Sequence, residues 1–250
     1  MRYLALAALI TAVTAIFAGT ATSQTPGPYT ECPSAENLIF GTEGDDVING
    51  TPLGDLVGAL AGNDTVDGQA GDDCLFLGDG TDVGNGSDGD DYLLGQNDND
   101  RLLGGPGNDR LDGSAAEDRL RGGSGRDKLR GGMDDDSLSA GAGNDSAQGN
   151  SGNDGVAGGP QNDRVSGGSG NDRVDGDAGR DRVYGGSGND TVIGGSGTGD
   201  LAVGSVGNDR VNTIDNAPDD IARCGAGRDV ASVDVTDRVD DDCEVVRVRG

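Results

Sequence analysis

Gly167-Gly168-Ser169-Gly170-Asn171-Asp172-Arg173-Val174-Asp175 is one of seventeen consecutive nonapeptides that run from Gly41 to Ile193 in a single phase. Each block carries Asp at its sixth position: Asp46, Asp55, Asp64, Asp73, Asp82, Asp91, Asp100, Asp109, Asp118, Asp127, Asp136, Asp145, Asp154, Asp163, Asp172, Asp181 and Asp190. Two residues later comes an aliphatic or Ala side chain, from Ile48 and Val57 through Leu102, Leu111 and Leu120 to Val183 and Val192, and Gly84 alone breaks that column. Gly dominates positions one and four and often fills position two, so the consensus is GGxGxDxUx with U aliphatic. A phase held through seventeen blocks is an internal repeat, which acidic composition alone would not produce.

The GGxGxD half of each block gives the backbone freedom a tight turn needs, and the next three residues alternate outward, inward, outward as a short strand. One nonapeptide is then half a lap, and two strands with two turns close an 18-residue coil. The expected fold is all-β: a parallel β-roll, that is, a β-solenoid with two nonapeptides per coil, its two sheets each enclosing one aliphatic column, with a small cap at either end. Leu53, Asp98, Ala116, Asp134 and Gln161 replace Gly at position four, where a left-handed conformation is expected. Gly84 at the inward position, in a block that begins with Leu77, predicts a gap in the core and a weak point or bulge from Leu77 to Asn85.

These blocks resemble the haemolysin-type calcium-binding repeats, the RTX repeats, whose nonapeptide has this consensus. The resemblance covers about three fifths of the chain in strict register and continues more loosely to about Asp229. It implies a β-roll with Ca²⁺ between turns, each ion taking the Asp carboxylate and loop carbonyls from two laps.

The residues lead toward the same chemistry without the name. Stacked laps put the sixth-position Asp of one repeat beside that of the next but one, in carboxylate ladders spaced about 4.8 Å. Adjacent unit charges at that spacing repel by about 1 kcal/mol even in bulk water, and by more near a protein surface. A divalent cation turns the repulsion into attraction, and hard oxygen ligands on a flexible loop favour Ca²⁺ over Mg²⁺. Zinc lacks its usual partners, since the chain has no His. All seventeen Asp are therefore candidate ligands; pairing each with the next but one allows at most 17 − 2 = 15 ions, whose 30 charges would nearly offset a net charge of −27.

With 32% hydrophobic and 3% aromatic residues, 49 Gly and no Trp, the chain has no conventional core to build. Its acidity disfavours nucleic acid and anionic lipid and invites cations. The absence of His, and of any Ser in a G-x-S-x-G setting, argues against an enzyme. Gly84-Asn85-Gly86-Ser87-Asp88-Gly89 matches a dinucleotide loop by chance, with no βαβ unit around it. The function expected is a secreted, extracellular calcium-binding roll with a structural, cell-surface or adhesion role, meeting a cell-surface glycan or protein. The alternatives are a glycan- or ice-binding face, or a non-catalytic accessory subunit of a secreted enzyme or toxin.

Residues 1–21 read as a signal peptide: Arg2, then an apolar run from Leu4 to Phe17, then small residues, with cleavage after Ala21 or Ser23. A retained membrane anchor is the other reading of that run, and no second apolar run follows. Residues 22–40 form a Pro-rich lead-in and N-terminal cap including Ile39 and Phe40. Residues 41–193 are the repeats, 194–229 degenerate repeats and 230–250 a C-terminal cap with alternating Val. Cys32, Cys74, Cys224 and Cys243 suggest two disulfides; Cys32 with Cys74 and Cys224 with Cys243 would staple each end, among three possible connectivities. Outward Arg101, Arg110, Arg119, Lys128, Arg164, Arg173 and Arg182 screen acidic loops, while outward Val47, Leu56, Val83, Tyr92 and Leu94 make a more apolar face.

Overall fold

In a computed structural model the chain divides into two units, Met1–Pro33 and Ser34–Gly250. The described residues are 35–249 apart from Asn216, all in the second unit, so the signal peptide, most of the lead-in and Cys32 lie outside them. In the second unit every repeat block sends its strand to the sheet opposite the last one. A 12-stranded sheet begins with Asn37–Phe40 and a 13-stranded sheet begins with Val47–Asn49. Neighbouring strands pair in parallel one lap apart, as in Leu120↔Leu138 and Val156↔Val174. This is a parallel β-roll with two nonapeptides per coil. Among the described residues no helix is long and apolar enough to cross a membrane.

Most strands are longer than three residues. Arg119–Ser124 takes positions seven to nine and then one to three of the next block, leaving only positions four to six for the turn. Pairing skips Gly122 and resumes at Gly123↔Gly141 and Ser124↔Ala142, so each strand bends at position one and carries on. The bend requires a second left-handed residue, at position two, where the consensus carries its second Gly but several blocks do not. There Leu60, Gln69, Ser87, Gln96, Ser114, Asn150 and Asp177 all have positive φ. At position four, Asp98, Ala116, Asp134 and Gln161 take the expected left-handed conformation with φ of 69, 81, 69 and 80°. Leu53 is not among the positive-φ residues.

Inward positions six, eight and one alternate along each strand, giving the interior a column of Asp, a column of aliphatics and a column of Gly. The aliphatic side chains form one continuous cluster from Ile48 to Val233. The anticipated gap at Gly84 is closed. A Cβ there would meet Leu77 Cδ1 at 3.0 Å and Leu93 Cδ2 at 3.4 Å, because Leu77, at an inward position usually held by Gly, fills the space that Gly84 leaves. No bulge follows: Val66↔Gly84 and Gly84↔Leu102 pair in register. Leu77→Ala should therefore cost about 2–5 kcal/mol and Gly84→Leu about 1–3 kcal/mol by overpacking. The double variant puts Ala and an aliphatic side chain where Ala59 and Val66 stand one lap earlier. Urea melts in saturating Ca²⁺ should show it well below the sum of the single costs, and strict additivity would refute the exchange.

Beyond Ile193 the same two sheets continue. Leu201–Val206 and Ile221–Ala226 extend one, while Arg210–Asn212, Val230–Asp234 and Val245–Arg249 extend the other. The irregular spacing of this region is absorbed in longer turns. Cys224 and Cys243 form a disulfide across this end, and Cys74 is also disulfide-bonded. The outward apolar face is different from the one expected. Val47 is exposed, but Tyr92 is only 7% exposed, with Phe76 packed edge-on at 5.9 Å and the Arg110 guanidinium 5.3 Å from its ring.

Candidate metal centre

Each sixth-position Asp ends a turn and points its side chain into the roll. Sixteen of the seventeen, from Asp55 to Asp190, are no more than 4% exposed, and Asp46, at the open first turn, is half-buried. They stand in two columns, one along each edge. Within a column, Oδ1 accepts the main-chain N–H of the Asp one lap earlier: Asp91 N to Asp109 at 2.9 Å, Asp109 N to Asp127 at 2.8 Å, Asp127 N to Asp145 at 2.7 Å. The Asp carbonyl takes the N–H of the residue after the next Asp, as from Arg110 to Asp91 at 2.8 Å. One carboxylate oxygen is thus built into the sheet ladder, which fixes the rotamer and aims the other.

That other oxygen, Oδ2, has no hydrogen-bond partner from Asp64 through Asp190, although it is buried. It lies over the first-position Gly of its own block, where a Cβ would collide with it. At Gly104 the same Cβ would meet the Gly122 carbonyl of the next lap at 2.6 Å, and at Gly113 the Gly131 carbonyl at 2.7 Å. Glycine at position one therefore leaves a space faced by a carboxylate oxygen and a peptide oxygen. Ala59, Leu77 and Ala140 put a side chain there instead, beside Asp64, Asp82 and Asp145.

The first two Asp differ. Asp46 Oδ2 accepts the Thr42 N–H at 2.6 Å and its hydroxyl at 2.9 Å. Asp55 Oδ2 accepts the Thr51 N–H at 2.6 Å, and its Oδ1 is bound by Asn37 Nδ2 at 2.7 Å. A threonine at position two satisfies what glycine leaves open, so these two have least need of a cation.

Burial pushes the other carboxyls up from an ordinary 3.8: to about 8 at Asp100, to about 7 at Asp91, Asp109, Asp136 and Asp181, and to about 6 at Asp118, Asp127 and Asp172. The N–H from the preceding lap pulls the other way without winning, and neighbouring carboxylates add to the rise. An acceptor-only oxygen, buried, unpartnered and costly to ionise, is the property a bound cation removes. The donors are all oxygen, carboxylate and carbonyl, which fits Ca²⁺.

Two sets of residues fall outside the seventeen candidate ligands. Asp200, Asp209, Asp220 and Asp229 continue the columns through hydrogen bonds Asp181 N to Asp200, Asp190 N to Asp209, Asp200 N to Asp220 and Asp209 N to Asp229, at 2.7–2.9 Å. Each also has an unpartnered Oδ2. Insertions in the turns loosen their phase to the Asp spacing of nine to eleven that marks the degenerate repeats. Position five forms the second set. Asn108 N donates to Asp90 Oδ1 at 2.7 Å, Asn153 N to Asp135 at 2.6 Å, and Asn189 N to Asn171 at 2.8 Å. These side chains reach to the following lap while the sixth-position Asp reaches to the preceding one, so every such turn is tied in both directions.

A family model of the RTX calcium-binding nonapeptide repeat (4 copies) matches residues 34–52, 54–84, 78–111, 85–118, 112–147, 130–165 and 166–201. Comparison with curated proteins gives no match. Among solved structures, the X-ray crystal structure of a hyperactive, Ca²⁺-dependent, β-helical antifreeze protein from an Antarctic bacterium is 21% identical, covering 91% of this chain and 83% of that one at a TM-score of 0.37. That likeness is too distant to carry an argument. The family match spans well over half of the sequence in register with the buried Asp columns: this chain belongs to the RTX calcium-binding repeat family.

Proposed function

We propose that the chain is an exported rod whose β-roll folds on binding Ca²⁺ along its two Asp columns, and that it serves a structural, cell-surface or adhesion role without catalysis, meeting a surface glycan or protein. The observation that carries this reading is the run of buried, unpartnered Oδ2 atoms from Asp64 to Asp229. Asp64, Asp73, Asp82, Asp91, Asp100, Asp109, Asp118, Asp127, Asp136, Asp145, Asp154, Asp163, Asp172, Asp181 and Asp190 would hold the ions with carbonyls of the glycine turns, Asp46 and Asp55 contributing least.

Metal that binds the folded but not the unfolded chain adds its binding free energy to folding. Extracellular Ca²⁺ modules work at about 0.1–1 mM, so a chain unfolded during export would fold on arrival outside. Circular dichroism at about pH 7.5 should show little β signal with chelator and a cooperative gain across that concentration range. Full β signal in the chelated protein would overturn the coupling.

A further inference from the structure

We infer that Asp215 joins Asp200 and Asp220, the last Asp residues of one column, in a three-carboxylate divalent-cation site at the C-terminal end of the rod, one that binds Ca²⁺ more tightly than the other positions of the columns do. It relies on the calcium reading for the ion, but Asp215 lies in the insertion between Asn212 and Asp220, outside the repeat phase. Each of the three offers a carboxylate oxygen, and those oxygens all lie within 4.8 Å of one another. Among the described residues this is the only such cluster made of carboxylates alone; the other contains Cys224 and Cys243, whose sulfurs are committed to a disulfide.

Two of its three residues are fully buried and carry an unpartnered oxygen. Asp200 and Asp220 are 0% exposed, and Oδ2 of each lacks a hydrogen-bond partner. Their other oxygens are used by the fold: Asp220 Oδ1 accepts the N–H groups of Gly199 at 2.7 Å and Asp200 at 2.9 Å. Asp215 is half-buried, which gives an ion a way in. It is held rigidly, Oδ2 accepting the Gly197 N–H at 2.8 Å and Oδ1 the Ala217 N–H at 2.7 Å, while its own N–H donates to Asp234 Oδ2 at 3.0 Å.

Donor chemistry favours Ca²⁺: three carboxylates on an irregular loop suit its flexible all-oxygen coordination, whereas Mg²⁺ keeps its waters and demands an octahedron. Charge count raises affinity, and the insertion adds a third carboxylate to what elsewhere is a two-lap pairing. The Arg180 guanidinium, which donates from Nε to the Gly199 carbonyl at 3.2 Å, offsets part of the charge at Asp200.

Calorimetric Ca²⁺ titration of the full chain and of Asp215→Asn tests this, with Asp219→Asn, an exposed acid of the same loop, as control. The wild type and Asp219→Asn should show one equivalent bound at least tenfold more tightly than the rest. Asp215→Asn should lose that class and keep the later ions and the Ca²⁺-dependent β signal. A first equivalent unchanged in Asp215→Asn overturns the site while leaving the columns standing. One tight ion followed by no others would keep the site and sink the column reading. Should Asp215→Asn fail to fold in saturating Ca²⁺, the wild-type isotherm decides, and a single homogeneous class overturns the inference.

Discussion

Stripped of divalent metal, the protein keeps its β signal at about pH 4.5 and loses it progressively as pH rises toward about 8. The reason is the direction in which the fold moves its carboxyls. Asp73, Asp91, Asp109, Asp163 and Asp220 stand at about 7 and Asp100 at about 8 in the folded, metal-free chain, against an ordinary 3.8. Between those values the folded state holds more protons than the unfolded one, so folding stability falls as pH rises. The contribution is fully present below 3.8 and is gone above about 8. With more than a dozen carboxyls moving in the same direction, the loss should be large enough to take the chain from folded to unfolded. Circular dichroism of chelated protein across the range measures it, and greater metal-free stability at high pH would refute the buried columns.

Calcium reverses that dependence, because an ion and a proton compete for the same Oδ2. Binding at about pH 6.5 should release protons, and binding at about pH 9 almost none. Calorimetry in two buffers of different ionisation enthalpy reads the number directly.

The fold was legible because a solenoid repeats its backbone geometry every lap, so one residue type is demanded at one phase seventeen times over. Asp46 to Asp190 record that demand, and so do the aliphatics beside them. Position five was harder to see, since the turn there needs only an acceptor for the next lap's N–H, and Asp90, Asn108, Asp135 and Asn153 supply it interchangeably while Arg126 and Arg180 interrupt. Position two hides for a related reason: Leu60, Gln96 and Asn150 adopt positive φ because parallel neighbours hold them there, not because their side chains prefer it. The Leu77 and Gly84 exchange joins residues on opposite sheets: a one-dimensional pattern shows both departures but not that one fills the space the other leaves. Asp200 to Asp229 were displaced by insertions that the stack absorbs without breaking its ladder, and that same displacement put Asp215 where no repeat residue stands.

Substituting Asn at Asp109 should move stability in opposite directions with and without Ca²⁺. Its side-chain carbonyl can keep the 2.9 Å bond from Asp91 N–H, so the ladder survives. At the Oδ2 position, however, an unpartnered acceptor becomes an NH₂ donor, in a space faced by the Gly122 carbonyl. The metal-free chain at about pH 8 no longer carries a buried anion there and should gain roughly 1–3 kcal/mol, the cost of leaving such a group unsatisfied. In saturating Ca²⁺ the same change removes a charged ligand and turns a donor toward a cation, so the loaded protein should lose stability and bind fewer ions. Asp109→Ala, which also removes the ladder acceptor, should destabilise both forms. Without metal, where the wild type unfolds as pH rises, the sign is read from the pH midpoint at which each chelated protein loses its β signal; urea melts in saturating Ca²⁺ read the loaded form. A change of the same sign for Asp109→Asn in both conditions would show that Oδ2 meets neither unpaired burial nor metal, and the ion columns could not then be what closes this roll.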